Sequence, residues 1–374
     1  MVFANTSCVG AFGPLLPEIA RAQALADWQL GVLAGAFGFA RMLADVPAGA
    51  LAGRRLGTTL AVAPALLVAG VVLLWSAGPF PVLVLGRVLI GLGHTLAMVG
   101  GLTAILLDHR GASGSVRLNT FEFAGMLGVL GGLATVGLLP VTLGWPLSLL
   151  LSGSPVLITI AIVPGLRRRF PDQPRVAHGA GAPATAPSAL AAAASMPPIV
   201  WLMFAVGLVM GLSWSSVSQF LIPLRGTREF GLDRGGVSRL LALSQVVDLA
   251  ALLPVGWLAD RVGRVRMLSV VSGFLGLGAW GVGLGSFPFF VAGCVLFGLG
   301  LAGWMLPLGV IREHTETAVF AWRTGLYRVG VDAAAFLGPL ACGLLGEART
   351  GIFVGAVGVA AVAAAARLGW RASR

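Results

Sequence analysis

Eight ionisable side chains stand where the sequence is otherwise apolar: Arg41, Asp45, Arg87, His94, Glu122, Asp248, Arg328 and Asp332. A carboxyl sheltered from water takes up a proton more readily, an imidazole changes charge near neutrality, and a guanidinium binds carboxylates or steers a nearby proton. Arg41 precedes Asp45 by four residues, and Arg328 precedes Asp332 by four. Each is a one-turn spacing, although Arg before Asp is the weaker order for an intrahelical pair. Arg87 and His94, seven apart, share a helix face. No nucleophile and base, paired carboxylates or metal-ligand set accompanies them, and Cys8, Cys294 and Cys342 lack the spacing of a zinc site or disulfide framework. The chemistry on offer is movement of protons and ions; no enzyme activity and no cofactor is expected.

The elements that must hold these charges follow from composition. Of 374 residues 57% are hydrophobic and 10% charged, well outside the range of soluble domains. A membrane-spanning helix needs roughly 20 mostly apolar residues. Such runs predict twelve spans at 2–20, 28–52, 58–77, 80–107, 116–139, 144–165, 198–222, 235–258, 266–285, 288–311, 318–345 and 350–369. The start, MVFANTS, has no basic region or cleavage signature of a removable signal.

All 25 basic residues are Arg, which fits a GC-rich bacterial genome. They fall in short loops rather than along one soluble face, so the net charge of +11 does not imply nucleic-acid binding. Alternate loops differ. One set holds Arg54/Arg55, Arg110, Arg167 to Arg169 with Arg175, Arg261/Arg264/Arg266, Arg312 and Arg371/Arg374; the other is poorer in Arg. The rich set is expected in the cytoplasm, with both termini. Residues 166–197, basic and then rich in Ala, Pro and Gly, read as a flexible cytoplasmic linker between 1–165 and 198–374.

The two parts repeat. A single offset of 207 residues aligns PAGALAGR (47–54) with PVGWLADR (254–261), VLIGLG (88–93) with VLFGLG (295–300), and LGGL (130–133) with LGPL (337–340). The same offset pairs Arg41 with Asp248, Asp45 with Leu252, Arg87 with Cys294, Phe121 with Arg328 and Gly125 with Asp332. Scaffold residues obey the repeat and the charges do not. A charge needed only to build the six-helix unit belongs in both copies, so these charges point to roles in the assembled pathway. GLGAWG (276–281) and GLGLAG (298–303) match a dinucleotide fingerprint, but lie inside apolar helices with no preceding strand.

The chain resembles the major facilitator superfamily, in particular its bacterial, drug-efflux-like, proton-coupled branch. GWLADRVGR (256–264) is similar to the signature after the second helix of each half. LVLGRVLIGLG (83–93) is similar to the fourth-helix pattern, with Arg87 at its Arg; GMLGVLGG (125–132) is similar to the Gly-rich fifth-helix motif, with Leu130 at its Pro. The first-half signature, GALAGRRLG (49–57), has Gly53 at the Asp position and one extra residue before Gly57.

The resemblance implies an all-α membrane protein: twelve transmembrane helices in two pseudo-symmetric six-helix bundles, acting as a monomer in the bacterial inner membrane. It implies proton-coupled export of a small organic or amphipathic compound by alternating access. Two alternatives stay open: uptake of a metabolite or organic anion with Arg87 as its ligand, and a non-transporting subunit that binds lipid or a partner. Spans 2 and 11, and 5 and 8, are the pairs that meet between halves in this family, and Asp45, Asp332, Glu122 and Asp248 lie on them. Asp248, Asp332, Glu122 and His94 are the proton-coupling candidates. Spans 1, 4, 7 and 10 line the family's cavity, which makes Asn5, Arg87, His94, Met98, Trp214, Ser218, Gln219, Trp304 and Met305 the substrate candidates. At 1.5 Å per residue, Arg41 and Asp332 each lie about 20 Å along oppositely running helices. Crossed pairs Arg41 with Asp332 and Asp45 with Arg328 are therefore expected as a cytoplasmic gate, closed when the protein faces outward. Asp260 and Arg261 are the second-half latch candidates.

Overall fold

The structure, a computed structural model, describes residues 1–107, 114–172 and 196–372. Residues 173–195 of the expected linker and the turn holding Arg110 lie outside the described residues, as do Arg175 and Arg374. The described residues form helices at all twelve expected places. Spans 1 to 5 are Val2–Ala22, Asp27–Arg54, Leu56–Trp75, Phe80–Leu107 and Gly114–Leu138. Span 6 is built from Gly144–Gly153 and Val156–Arg169, interrupted at Pro155, whose ring and missing N–H do not fit a helix interior. Span 7 runs from Pro198–Trp214 through a widened, π-helical turn Ser215–Leu221 into Ile222–Arg228. Spans 8 and 9 are Arg234–Val262 and Arg264–Leu284. Span 10 is broken between Phe287–Leu301 and Leu306–Glu313, where Gly303 and Pro307 flank the gap. Spans 11 and 12 are Thr317–Leu345 and Glu347–Ala372.

Among the described residues, eleven helices are long and apolar enough to cross a membrane. Val2–Ala22 is not one of them. It carries Asn5, Thr6, Ser7 and two prolines, and nearly all its side chains are buried against other helices. A helix enclosed by protein need not present apolar groups to lipid; Thr6 donates across to the Gly125 carbonyl of span 5, and Ser7 to the Ala4 carbonyl of its own helix.

The packing follows the repeat. Span 1 packs on 5, span 2 on 4, and span 3 on 4 and 6; span 7 packs on 11, span 8 on 10, and span 9 on 10 and 12. Small residues make this closeness possible, because lipid offers no hydrophobic drive between helices and backbone approach supplies the contact. The Gly-rich stretch of span 5 is the clearest case. A Cβ added to Gly132 would collide with the Ser7 carbonyl, and Thr6 Oγ1 donates to the Gly125 carbonyl at 2.8 Å.

The halves meet along two seams, span 2 against 11 and span 5 against 8. Met1, Ala372 and the turns at Arg55, Gly263 and His314 lie on one face, called here the terminal face, and the intervening turns lie on the far face. Contacts between turns fix this arrangement: Gln23 Nε2 donates to the Ala77 carbonyl at 2.9 Å, and Arg225 to the Gly285 carbonyl at 2.7 Å, both on the far face. On the terminal face, the expected linker begins later than 166. The helix continues to Arg169, and Asp172 is tied down by Thr58, whose N–H donates to it at 2.9 Å. Polar composition at Arg167 to Arg169 marks a helix end at the membrane surface here, not a loop.

Candidate functional site

The charges of spans 2 and 11 come together across the seam. Arg41 lies 2.8 Å from the Asp332 carboxylate, and Arg328 Nε donates to Asp45 at 3.3 Å. The two pairs stack one turn apart with their signs exchanged. Above them toward the far face, the helices touch through small residues. A Cβ on Gly31 would lie 2.5 Å from the Pro339 carbonyl, and one on Gly38 2.7 Å from the Phe336 nitrogen. Below them, Gly49 is one turn beyond Asp45 and Gly325 one turn beyond Arg328 on the same helix faces, and neither has anything within 4 Å of an added Cβ. The ion pairs thus occupy the last level at which spans 2 and 11 touch.

The second seam joins spans 5 and 8. Near the far face Ser238 Oγ of span 8 donates to the Leu133 carbonyl of span 5, beside Gly137. Nearer the terminal face, buried Asp248 takes its hydrogen bond from Gln245 of its own helix at 3.2 Å, and its other oxygen has no partner. Glu122 of span 5 is half-buried, within electrostatic range of Arg328.

The far face itself is latched. Glu18 of span 1 holds the guanidinium of Arg234, the first helical residue of span 8, through both carboxylate oxygens. Ser148 Oγ accepts from the same guanidinium at 2.6 Å, and its side chain is wholly buried. Asp27 of span 2 pairs with Arg228 at the end of span 7, at 2.9 Å. Both carboxylates come from the first half and both guanidiniums from the second. Clefts of about 240 and 320 Å³ open beside these pairs, one lined by Asp27 and Arg228, the other by Glu18 and Arg234.

The crossed pairs, expected as a cytoplasmic gate closed when the protein faces outward, are formed here together with the far-face pairs Glu18–Arg234 and Asp27–Arg228.

A family model described as Major Facilitator Superfamily matches residues 1–237. The chain belongs to the Major Facilitator Superfamily. A comparison with curated protein sequences finds no match. Among solved structures, the chain is similar to the nucleoside transporter NupG, with a TM-score of 0.72 and 14% identity over 100% of this chain and 96% of that one. It is similar to the peptide transporter POT in complex with sulfate, with a TM-score of 0.78 and 13% identity over 98% and 91% of the two chains. It is also similar to a bacterial homolog of the human lysosomal transporter Spinster in an inward-facing, unoccupied conformation, with a TM-score of 0.71 and 16% identity over 99% and 90%.

The superfamily signature of the second half sits at the splayed end. Asp260 lies 3.7 Å from Arg264, within the same half, and Arg261 stacks over Trp257 at 3.6 Å. Among the described residues, no ion pair joins either of them to the first half. In the first-half copy, Gly57 is required by geometry: a Cβ there would stand 2.6 Å from the Phe170 carbonyl.

Between the seams, the superfamily's spans 1, 4 and 7 carry the unpaired polar groups. Arg87 is 0% exposed; its guanidinium stacks on the Phe12 ring at 3.6 Å and its Nε reaches the Leu33 carbonyl at 3.4 Å. Both terminal nitrogens of Arg87, both amide atoms of Asn5, Nδ1 of His94 and Oε1 of Gln219 are buried without a partner among the described residues. His94 packs against Phe37 at 5.2 Å, and the guanidiniums of Arg87 and Arg41 lie 5.3 and 5.4 Å from that ring. Ser218 and Gln219 belong to the π-helical turn, a local widening often found at functional sites. Trp214 just before it meets Trp304, in the break of span 10, edge to face at 6.3 Å. Met305 beside it is 47% exposed, and Met98 is partly buried.

Sequence reasoning missed Glu18, Asp27, Arg228, Arg234, Phe12 and Phe37. For the first four a signal existed: on the far-face loops, acids at the ends of spans 1 and 2 oppose Arg at the ends of spans 7 and 8. Two phenylalanines in an apolar chain carry no comparable mark.

Proposed function

We propose that this protein is a secondary active transporter that works by alternating access and exports a small organic compound in exchange for protons. The observation that carries the reading is the pair of crossed ion pairs, Arg41 with Asp332 and Asp45 with Arg328, at the level where the half-to-half seam opens. A buried pair that joins two moving bodies is broken or remade as they rock, and protonating one carboxylate removes the attraction that holds it. Asp332 is thus both a proton site and a brace. Asp248 and Glu122, on the other seam, are the accessory carboxyls, and His94 stands within electrostatic range of Arg41 and Arg328.

We assign the Arg-rich terminal face to the cytoplasm of a bacterial inner membrane by the excess of Arg in its loops. The far-face latches Glu18–Arg234 and Asp27–Arg228 then make this an inward-facing arrangement. The interruptions of spans 7 and 10, beside Trp214, Gln219 and Trp304, support a substrate site between the halves, since broken helices near the midplane expose backbone groups to a ligand. Residues 1–165 and 198–374 act as the rocking bodies, joined by the linker, in a monomer.

The test is reconstitution in proteoliposomes containing a pH dye. Addition of a substrate found by ligand-stabilisation screening is expected to drive proton movement opposite to substrate, and Asp332→Asn to abolish it while the protein remains folded. Proton movement in the same direction as substrate overturns exchange in favour of cotransport. Binding without any flux overturns transport.

A further inference from the structure

We propose that Arg54, Arg55, Arg167, Arg168 and Arg169 form a headgroup site for an anionic phospholipid at the terminal-face corner of the first half. The site is independent of what the protein transports. Three segments build the corner: the end of span 2, the start of span 3 and the end of span 6. Leu166 and Phe170 of span 6 pack on a small apolar cluster of Ala52, Leu56, Leu60 and Ala104. The Phe170 carbonyl comes so close to the span 3 backbone that only Gly57 fits there. Asp172 then accepts from the Thr58 N–H at 2.9 Å and from the Thr58 hydroxyl. These ties seat the Arg run of span 6 beside the turn that carries Arg54 and Arg55. Arg55 and Arg167 accordingly both lie within electrostatic range of Asp172.

The corner is unbalanced in charge. Its five Arg residues are exposed, and the carboxylate set among them, Asp172, is already committed to Thr58. Among the described residues no carboxylate pairs with Arg54, Arg55, Arg167 or Arg168. The second half differs on the same face. There Arg264 meets Asp260 at 3.7 Å and Glu313 at 3.0 Å, Arg261 stacks on Trp257, and Arg312 on Phe320. An excess of Arg is thus common to the whole terminal face, whereas this group of unpaired guanidiniums belongs to one corner. Guanidinium forks match phosphate oxygens, and a basic group at the membrane surface draws anionic headgroups.

The surface next to the corner selects a lipid over a free anion. Span 6 leaves Leu157, Ile158 and Ile162 exposed at 57, 64 and 40%. Helical periodicity carries Leu157 through Ala161 and Pro164 to Arg168, and Ile158 through Ile162 to Arg169. From Ile158 to Arg169 this stripe runs about 16 Å, close to one leaflet of a hydrocarbon core about 30 Å thick. An acyl chain laid on the stripe therefore brings its phosphate to the Arg run. A soluble phosphate uses the basic end alone.

The experiment is native mass spectrometry of the full chain in detergent, titrated with phosphatidylglycerol, phosphatidylcholine of the same chains, and glycerol 3-phosphate. Phosphatidylglycerol is expected to bind at least about tenfold more tightly than phosphatidylcholine, and glycerol 3-phosphate far more weakly than either the site or its chains would allow together. Replacing Arg167→Gln with Arg168→Gln is expected to reduce the preference for phosphatidylglycerol about tenfold. The control, Arg266→Gln with Arg312→Gln, removes the same charge from the second half and is expected to change it less than about twofold. Arg54→Gln with Arg55→Gln reaches the corner from its other side and decides the matter if the span 6 variant does not fold. An absent preference for phosphatidylglycerol, a preference unchanged in the corner variants, or an equal loss in the control overturns the proposal. Glycerol 3-phosphate bound as tightly as the lipid overturns it in favour of a soluble anion.

Discussion

Arg41 of span 2 and Asp332 of span 11 meet at 2.8 Å from opposite halves of the chain, and one turn away Asp45 and Arg328 make the same contact with the charges exchanged. The exchange matters. A vertical slip of one helix against the other by a turn brings like charges together, so the doublet fixes the register of the seam as well as holding it.

Reversing one member of the doublet is expected to leave like charges facing each other at mid-membrane. Arg41→Asp and Asp332→Arg should each lower transport at least about tenfold, since breaking a buried pair by removing one partner costs about 3–5 kcal/mol. The double variant Arg41→Asp with Asp332→Arg should recover a substantial part of it. Transport in proteoliposomes reads the outcome, and absence of rescue in the double variant sinks the pairing as a functional contact.

Glu18 and Arg234 should hold the far face closed. Replacing both by Cys and bridging them with a reducible bifunctional thiol cross-linker is expected to stop turnover, and reduction to restore it. Arg234→Ala, which strands a carboxylate beside Ser148, should shift the population toward a far-face-open form. Labelling of a Cys introduced at Leu133 by a membrane-impermeant reagent measures that shift, with faster labelling expected in Arg234→Ala. Unchanged labelling counts against the latch.

At Gly132, any side chain collides with the Ser7 carbonyl of span 1. Gly132→Leu is expected to lower the unfolding midpoint in nanodiscs, at a cost of about 1–3 kcal/mol or more for overpacking. Gly273, which has nothing within 4 Å of an added Cβ, is the control, and Gly273→Ala should be close to neutral.

Asp172 sits outside the membrane, and hydrogen bonds from the Thr58 hydroxyl and N–H hold its carboxyl below the usual carboxylate range. A depressed folded value means that the tie is complete above the ordinary Asp value of about 3.9 and is lost as the pH falls through the lower, folded one. Hydrogen exchange at the Thr58 amide should therefore be protected at pH 6 in the wild type and not in Asp172→Ala. The difference should shrink under strong acid.

The fold was readable because apolar runs of span length are long, repeated and bounded by Arg or by Gly and Pro, and each of the twelve helices fell within a few residues of its expected place. Several ends were longer than composition suggested. Arg167 to Arg169 and Arg225 to Arg228 are charged yet helical, since a helix crossing a membrane continues into the headgroup layer where long side chains reach water. The crossed pairs were readable from depth, because opposite charges at matching levels on helices that meet have few other partners. The far-face latches were hidden for the opposite reason: Glu18 and Arg234 lie at helix ends, where a charge is ordinary, and only the approach of the two halves makes them a pair. The stack of Arg87 on Phe12 was hidden because side-chain type says nothing about which of many aromatic residues will face a given helix.

Val2–Ala22 has a consequence for how the protein is made. It is synthesised before the other described helices, yet among the described helices long enough to span it is the one too polar to qualify by hydropathy. Its lasting place is against span 5, through Thr6 on the Gly125 carbonyl and Ser7 on Gly132. Stable residence in the bilayer therefore waits until more than a hundred further residues have been synthesised. The opening helix must be sheltered in the insertion machinery or at the membrane surface until the fifth arrives, and truncation before span 5 should leave it unintegrated.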